Sequence, residues 1–227
     1  LSEEIWPGKD LKVRSGVSLR LRRKPWVDTA IHDFDAFVYP KDRPATGAER
    51  GRWNEIFGRQ APLYVELGTG KGDFISRIAA QESEKNFIGI ELQQDVLYKA
   101  AVKVAAAELS NVRLLVFDVQ ALEQIFVPGE IAGFYINFCD PWPKNRHARR
   151  RLTGRFFLEK YRRLLSGGGR LFFKTDNRPL FDFSLQEFAA DSRHLPNIIY
   201  TRTEQYRCPA GHRNRIRSKI QRAGRKD

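Results

Sequence analysis

The sequence feature that most constrains the fold is a regular alternation of apolar runs and helical periodicity. The apolar runs predict five strands, at residues 63–67, 86–91, 112–117, 131–138 and 170–175. Between them, apolar residues recur at helical spacing. Strands that alternate with helices form right-handed βαβ units. The sequence therefore predicts an α/β protein with a mostly parallel sheet and helices on both faces.

Charge and composition limit the class of partner. The 227 residues contain 40 Lys and Arg against 27 Asp and Glu, a formal charge of +13. This excess favours nucleic acid as a partner, with an anionic membrane surface as the second candidate. No apolar run approaches the ~20 residues of a membrane span, and the first residues lack an apolar signal core. We therefore expect a cytoplasmic protein that does not insert into a membrane.

The chain divides by composition into two parts. Residues 1–60 form a basic extension with little regular structure expected before Arg50, and residues 61–227 form the α/β domain with a basic C-terminal tail. Scattered tryptophans in the extension could bind a single nucleic-acid strand by stacking, or they could pin the extension onto the core. The sequence favours neither; these residues are Trp6, Trp26 and Trp53.

Four carboxylates close successive predicted strands. They are Glu66, Glu91, Asp118 and Asp140. In a parallel sheet these positions surround one crevice, where a ring of acids would repel a pyrophosphate. Carboxylates instead suit a ligand with an ammonium group, ribose hydroxyls and an amine, as in S-adenosylmethionine. We expect Glu91 to bind the ribose and Asp118 the adenine amine. Each acid alone could be an ordinary helix cap or a solvated strand end, but chance does not readily place all four at strand ends.

A Gly-rich turn follows the first of these strands. Residues 68–72 read GTGKG, which departs from the dinucleotide fingerprint because Asp73 takes the place of the expected small residue. We expect Glu66 to support this turn and the methionine end of the ligand. On its own the turn indicates only a tight connection from strand to helix.

The fourth strand ends in an unusual loop. Two prolines flank Trp142 directly after Asp140, so a rigid loop holds the aromatic ring near the strand end. A run of cations without an acid follows, and it favours a base-modifying site next to a phosphate backbone, although a solvated loop is the alternative. The run contains Lys144, Arg146, His147, Arg149, Arg150 and Arg151. We expect His147 to contact phosphate or solvent, and Cys139 to belong to the core. Thr153 is predicted to cap the next helix, and Asn177 with Pro179 to open the helix after that.

Several motifs occur together in one order. They read VELGTGKGDF at 65–74, IGIEL at 88–92, NFCDPWPKNRHARRRL at 137–152 and LFFKTDN at 171–177. In these motifs the chain resembles the bacterial tRNA (guanine-N7)-methyltransferase family, from about Leu19 to Arg217. The resemblance implies a Rossmann-like class I S-adenosylmethionine-dependent methyltransferase with a mostly parallel seven-stranded sheet.

The same resemblance implies the reaction and its partners. The expected reaction transfers methyl from S-adenosylmethionine to N7 of guanosine in the tRNA variable loop and releases S-adenosylhomocysteine. The expected partner is tRNA, with no metal and no obligate protein partner, in a monomer or homodimer. Two alternatives stay open. An amino-group methyltransferase would carry a second proline where Trp142 stands, and a non-catalytic RNA-binding protein would have little need of the acids.

The resemblance also assigns residues. The cofactor residues are Glu66, Gly68, Gly70, Glu91, Asp118 and Asp140, and Asp140 is also the catalytic residue, bridging cofactor and base. The substrate contacts are Lys144, Asp176, Thr201 and Glu204. Residues 146–151 are the RNA-contacting stretch. Asp176 and Glu204 are candidates to accept from the adjacent N1–H and amino donors of guanine. The chain departs from the family at Thr203, where an aromatic is common, and in its basic tail.

Overall fold

The computed structural model describes residues 24–191, 197–203 and 218–222. Eight strands form its sheet: β1 (Val38–Tyr39), β2 (Leu63–Leu67), β3 (Asn86–Glu91), β4 (Val112–Val116), β5 (Ile131–Asn137), β6 (Leu165–Thr175), β7 (Ile198–Thr203) and β8 (Ser218–Arg222). The α-helices are α1 (Val27–Ala30), α2 (Trp53–Phe57), α3 (Asp73–Gln81), α4 (Gln94–Ala106), α5 (Arg155–Leu164) and α6 (Arg178–Asp191). Short 3-10 helices span Ile31–Phe34, Val119–Gln124 and Asn145–Arg150.

The strand order places a crevice at the centre of the sheet. The order is β1-β4-β3-β2-β5-β6-β7-β8, and every pair is parallel except β7 with β8. The chain runs outward from β2 to one side through β3 and β4, and then crosses to β5 on the other side. Such a reversal leaves the connections after β2 and β5 pointing apart, which opens a ligand crevice. The predicted seven-stranded sheet is confirmed, and β1 extends it at one edge.

Helices cover both faces of the sheet, as predicted. Helices α3 and α4 pack on one face through Ile75, Ala79, Leu97 and Val104. On the other face lie α5, α6 and the 3-10 helix at 119–124. Burial of these apolar side chains, at roughly 25 cal/mol per Å², supplies most of the energy that holds the layers together.

The described part of the N-terminal extension packs against the sheet. Trp53 is 1% exposed, and its indole N–H donates to the carbonyl of Ile125 at 2.9 Å. Val38 pairs with Leu114 of β4. Trp53 therefore pins the extension to the core. Trp26, by contrast, is 54% exposed and sits edge-on against Tyr98, while Trp6 lies outside the described residues.

Two predicted helix caps have different outcomes. The Asn177 side chain accepts from the N–H of Leu180 at 2.9 Å, so its prediction as the start of α6 is confirmed. The prediction for Thr153 is wrong. Its hydroxyl is fully buried and bonds the Ser184 hydroxyl at 2.7 Å, while Gly154 occupies the cap of α5. A buried hydroxyl needs a buried partner, and the facing helix supplies it.

Candidate active site

A cavity of about 640 Å³ opens beyond the carboxyl ends of the central strands. It lies at the reversal of strand order, where a parallel sheet binds its ligands. Three of the four predicted acids line it, namely Glu91, Asp118 and Asp140. Gly68 and Gly70 form part of the same wall. The remaining lining is largely apolar and includes Ile90, Leu92, Val96, Phe117, Phe138, Leu152 and Phe157.

The glycine turn is shaped by left-handed backbone and anchored by Glu91. Gly68 and Gly70 have φ values of 77° and 59°, which only glycine adopts without strain. One Glu91 carboxylate oxygen accepts from the N–H of Gly70 at 3.1 Å, and the other accepts from the N–H of Gln93 at 3.0 Å. Glu91 therefore ties the turn after β2 to the turn after β3. Its side chain also forms part of the cavity wall.

Asp118 lies after β4 and begins the 3-10 helix at 119–124. Its carboxylate accepts from the N–H of Gln120 at 2.8 Å, which is the capping bond of that helix. Asp118 is therefore a helix cap, as the alternative to a cofactor contact predicted for this acid. The same side chain also lines the cavity, and a carboxylate has enough lone pairs to accept further bonds there.

Glu66 lies beneath the glycine turn and does not line the cavity. It is 4% exposed; one carboxyl oxygen accepts from the Asn137 amide at 3.1 Å. The other oxygen is buried and has no hydrogen-bond partner among the described residues. Burial raises the pKa of Glu66 to about 7, against smaller opposing contributions from Asn137 and Thr69. Near neutral pH this carboxyl is therefore partly protonated.

The buried carboxyl of Glu66 should make stability depend on pH. In the unfolded chain it ionises near its ordinary value of 4.5, but in the folded chain only near 7, so the folded chain holds the extra proton between these values. Stability should consequently fall as pH rises through that window and level off above it. Relative to Glu66→Gln, the wild-type free energy of unfolding should fall by about 3 kcal/mol between pH 4.5 and 7.

Chemical denaturation at several pH values measures this difference. Glu123→Gln is the matched control, because hydrogen bonding to Lys160 lowers the pKa of Glu123 and reverses the sign. The stability that Glu123 contributes should be present at neutral pH and disappear as pH falls. A pH-independent difference between wild type and Glu66→Gln would show that Glu66 is not desolvated.

The loop after β5 has two residues in left-handed backbone that are not glycine. Phe138 has φ 50° and Trp142 has φ 42°. Such conformations are costly and occur chiefly where a functional geometry is held by its surroundings. The Phe138 N–H donates to the carbonyl of Lys174 at 2.8 Å, which fixes the start of the loop. Asp140 and Trp142 then lie in the cavity wall.

Arg151 holds the far side of this loop. Its guanidinium donates to the carbonyls of Pro141 at 3.3 Å and Trp142 at 3.0 Å. It also lies 4.4 Å from the centre of the Phe183 ring. The sequence predicts a phosphate contact for Arg151. In the structure this guanidinium bonds loop carbonyls and so supports the loop, while the phosphate contact stays a prediction.

The other cations of this stretch lie at the surface beside the cavity. Lys144, Arg146, Arg149 and Arg150 are exposed, and the Arg150 guanidinium lies 4.8 Å from the centre of the Trp142 ring. His147 is half-buried and packs edge-on against Trp142 at 5.6 Å. Burial and the neighbouring cations lower the pKa of His147. At neutral pH the positive charge here therefore comes mainly from lysine and arginine.

Cys139 packs against the main core cluster, as predicted. Burial, followed by the charge of Asp140, raises the pKa of its thiol to about 12. The thiol is therefore protonated at neutral pH and does not provide a nucleophile.

Two of the predicted substrate contacts, Lys144 and Asp176, are not among the described residues that line the cavity. Asp176 is exposed directly after β6, the strand next to β5, and Lys144 lies on the loop that follows Asp140. Thr201 belongs to β7, where its backbone pairs with Lys174. Glu204 lies outside the described residues, so its placement across the pocket stays a prediction.

Neither a cluster of metal ligands nor a membrane-spanning helix occurs in the described part of the chain. Across residues 24–191, 197–203 and 218–222, no three His, Cys, Asp or Glu side chains come together as metal ligands. None of the helices described there is long and apolar enough to cross a bilayer.

Comparison with known proteins places this site in a family. A family model described as "Putative methyltransferase" matches residues 60–224. The tRNA (guanine-N(7)-)-methyltransferase of Bacillus subtilis is 45% identical over 173 residues, covering 75% of this chain and 78% of that protein. The chain belongs to the bacterial tRNA (guanine-N7)-methyltransferase family. The Geobacillus thermodenitrificans relative of the same name is 48% identical over 167 residues, which cover 74% of this chain and 76% of that protein.

The fold is also similar to solved methyltransferase structures. The structure of the aminoglycoside resistance methyltransferase NpmB1 is 25% identical, with a TM-score of 0.47 over 64% of this chain and 68% of that one.

Two features of this family member's site were not indicated by its sequence. The Asn137 amide donates a hydrogen bond to the buried Glu66 carboxyl. The Arg151 guanidinium donates to a carbonyl of the loop between Asp140 and the 3-10 helix at Asn145–Arg150. The first contact joins residues that are distant along the chain, and the second is made to backbone carbonyls, which have no side-chain signature in the sequence. The position of Asn137 near the end of a predicted strand, three residues before a predicted site acid, is the signal from which a contact at the site could have been inferred.

Proposed function

We propose that this family member transfers a methyl group from S-adenosylmethionine to N7 of guanosine in the variable loop of tRNA, releasing S-adenosylhomocysteine. The observation that carries the proposal is a cavity walled by three carboxylates and bordered by exposed cations. We further propose that the protein acts in the cytoplasm as a monomer or homodimer, without a metal or an obligate protein partner.

The cavity suits the cofactor by the chemistry of its wall. Glu91 and Asp118 offer acceptors to ribose hydroxyls and an adenine amine, and the bare backbone at Gly68 and Gly70 allows close approach. Among the described lining residues, Arg150 is the one cation, which leaves a pyrophosphate with few partners. Glu66 supports the turn from below. This combination favours S-adenosylmethionine over a dinucleotide.

The reaction requires little proton chemistry from the protein. When bound, the cofactor supplies a methyl group that its sulfonium sulfur makes electrophilic. Guanine N7 has an in-plane lone pair and no proton at neutral pH, so no side chain has to act as a base first. Asp140 holds the base beside the cofactor, on a loop braced by Arg151. Alignment of this kind is worth up to ~7–11 kcal/mol of the barrier.

The cationic surface binds tRNA in this proposal. Arg146 and Arg149 are exposed beside the cavity, where they can neutralise phosphates. Replacing either by Gln should weaken tRNA binding and reduce the slope of log affinity against log salt by about 0.7–0.9 for each phosphate that is no longer neutralised. Fluorescence titrations with tRNA at several salt concentrations measure both quantities.

Two other arginines are the controls for this titration. Arg162→Gln, on the exposed side of α5, should leave affinity and slope unchanged. Arg151→Gln should lower the methylation rate, through the loop, more than it changes the slope. If Arg146→Gln and Arg149→Gln behave like Arg162→Gln, the stretch is a solvated surface and does not bind phosphate.

The variable-loop assignment has a direct test. A tRNA transcript should accept methyl from S-adenosylmethionine, and a transcript whose variable-loop guanosine is replaced by adenosine should accept none above background. The rest of the two molecules is identical, so binding should change little. Equal incorporation into both transcripts would overturn the assignment to this loop.

A further inference from the structure

Backbone pairing between the two central strands stops just short of the crevice. The last registered pair of β2 and β5 joins Glu66 to Tyr135. Beyond it the chains separate, one into the glycine turn and the other toward Asp140. Asn137 lies two residues past this pair, and its amide donates to Glu66 at 3.1 Å. A side-chain hydrogen bond thus continues the connection where the ladder ends.

The environment of this hydrogen bond makes it sensitive to charge. Glu66 is 4% exposed, and its second oxygen has no partner among the described residues. The titratable groups that affect it are Asp73, at the start of α3, and Tyr135 on β5. Burial favours the neutral carboxyl, yet the Asn137 amide can donate to either form. In a low dielectric, one such bond has a large influence on local geometry.

We propose that Asn137 is a positioning residue, whose hydrogen bond to Glu66 fixes the loop that carries Asp140 relative to the glycine turn. The consequence for the reaction rests on the proposed function, because these two segments would hold the base and the cofactor. The strained φ of 50° at Phe138, the next residue, fits a loop whose starting point is held firmly.

Exchanging donor and acceptor tests this role. Asn137→Asp places a second carboxyl 3.1 Å from Glu66, and at neutral pH the pair can share one proton. Rising pH favours ionisation of both carboxyls, which then repel each other, so at pH 9 the single-turnover methylation rate should fall about 10- to 100-fold below wild type. The double variant Asn137→Asp with Glu66→Gln keeps one amide and one carboxylate in exchanged positions. It should recover to within about threefold of wild type at pH 9.

Two more variants complete the set. Asn137→Leu removes the donor, so its rate should be low at every pH. Asn111→Asp is the matched control, because Asn111 is also buried and donates to the carbonyls of Ala79 and Lys85. It should lower thermal stability while the folded protein keeps its methylation rate. If Asn137→Leu fails to fold, the comparison of the Asp variant with the double variant still decides the question.

Limited proteolysis reports the loop without requiring any activity. Trypsin cleavage after Lys144, quantified by mass spectrometry at pH 9, should rise about tenfold in Asn137→Asp and return toward wild type in the double variant. Unchanged cleavage and rate in Asn137→Asp, or a double variant no better than the single one, would overturn the positioning role. A wild-type protein that methylates no tRNA would instead contradict the proposed function, and the cleavage pattern would still decide on Asn137.

Discussion

Asp176→Ala should lower the single-turnover rate of guanosine N7 methylation about a hundredfold, while the affinity for S-adenosylmethionine stays within about twofold. Asp176 is exposed at the end of β6, next to the strand that leads to Asp140, and does not belong to the cavity wall. We therefore propose that it contacts the base and not the cofactor. Single-turnover assays and calorimetric titration of the cofactor measure the two effects separately.

The reason for this large effect is orientation. Guanine presents its N1–H and amino group as adjacent donors, and one carboxylate can accept from both. Without that acceptor the base is free to tilt, and a displacement of ~1 Å can cost about a hundredfold in rate. The same loss should make the enzyme discriminate less between guanine and a base without these donors.

Asp182→Ala is the control for this experiment, because Asp182 is a carboxylate on the following helix that pairs with Arg178. It should have nearly wild-type rate and cofactor affinity. The contrary result for Asp176→Ala is a loss of cofactor binding with near-normal turnover at saturation. It would mean that Asp176 binds the cofactor and that the base is held by another carboxylate.

Glu91→Ala should produce the opposite pattern. We expect the affinity for S-adenosylmethionine to fall about 10- to 100-fold, the equivalent of ~1–3 kcal/mol for buried polar partners left unsatisfied. Two causes combine here. The proposed ribose acceptor is removed, and the N–H groups of Gly70 and Gln93 lose the carboxylate that orders both turns.

Calorimetry with S-adenosylmethionine and its demethylated product measures the decrease in affinity. Turnover at saturating cofactor should be affected far less than affinity. Glu84→Ala, at an exposed residue two positions before the start of β3, is the matched control and should bind as wild type does. Wild-type affinity in Glu91→Ala would place the ribose elsewhere, and binding of NAD in preference to S-adenosylmethionine would contradict the cofactor assignment.

Local sequence pattern was sufficient for the five central strands, β2 to β6, because each of them buries its own apolar face. The other two strands of the predicted sheet came from the family resemblance, and β1 was not predicted. Leu63–Leu67 and Asn86–Glu91 were predicted to the residue, and the acids that close the strands follow from strand ends alone. Thr153 was mispredicted because its partner, Ser184, is on another helix. Packing between distant segments, which single-sequence periodicity does not encode, decided that hydroxyl.

The sequence predicted which acids belong to the candidate site but not which of them is buried beneath the cavity. The sequence placed four acids around one crevice, and three line the cavity. Glu66 lies below the cavity because its side chain points toward Asn137. The pairing of β2 with β5 brings these two residues together. The hydrogen bonds from Arg151 to loop carbonyls could not be predicted either. In a run of cations, the sequence does not indicate which side chain packs against the protein.

The nature of the methylated nucleoside is the most direct test of N7 methylation of guanosine in tRNA. Bulk tRNA that lacks modifications is incubated with the protein and methyl-labelled S-adenosylmethionine, digested to nucleosides, and separated by chromatography with mass detection. We expect the label to appear as N7-methylguanosine. Label in a nucleoside methylated on an exocyclic amine, or no transfer to tRNA by a folded protein that binds the cofactor, would contradict it.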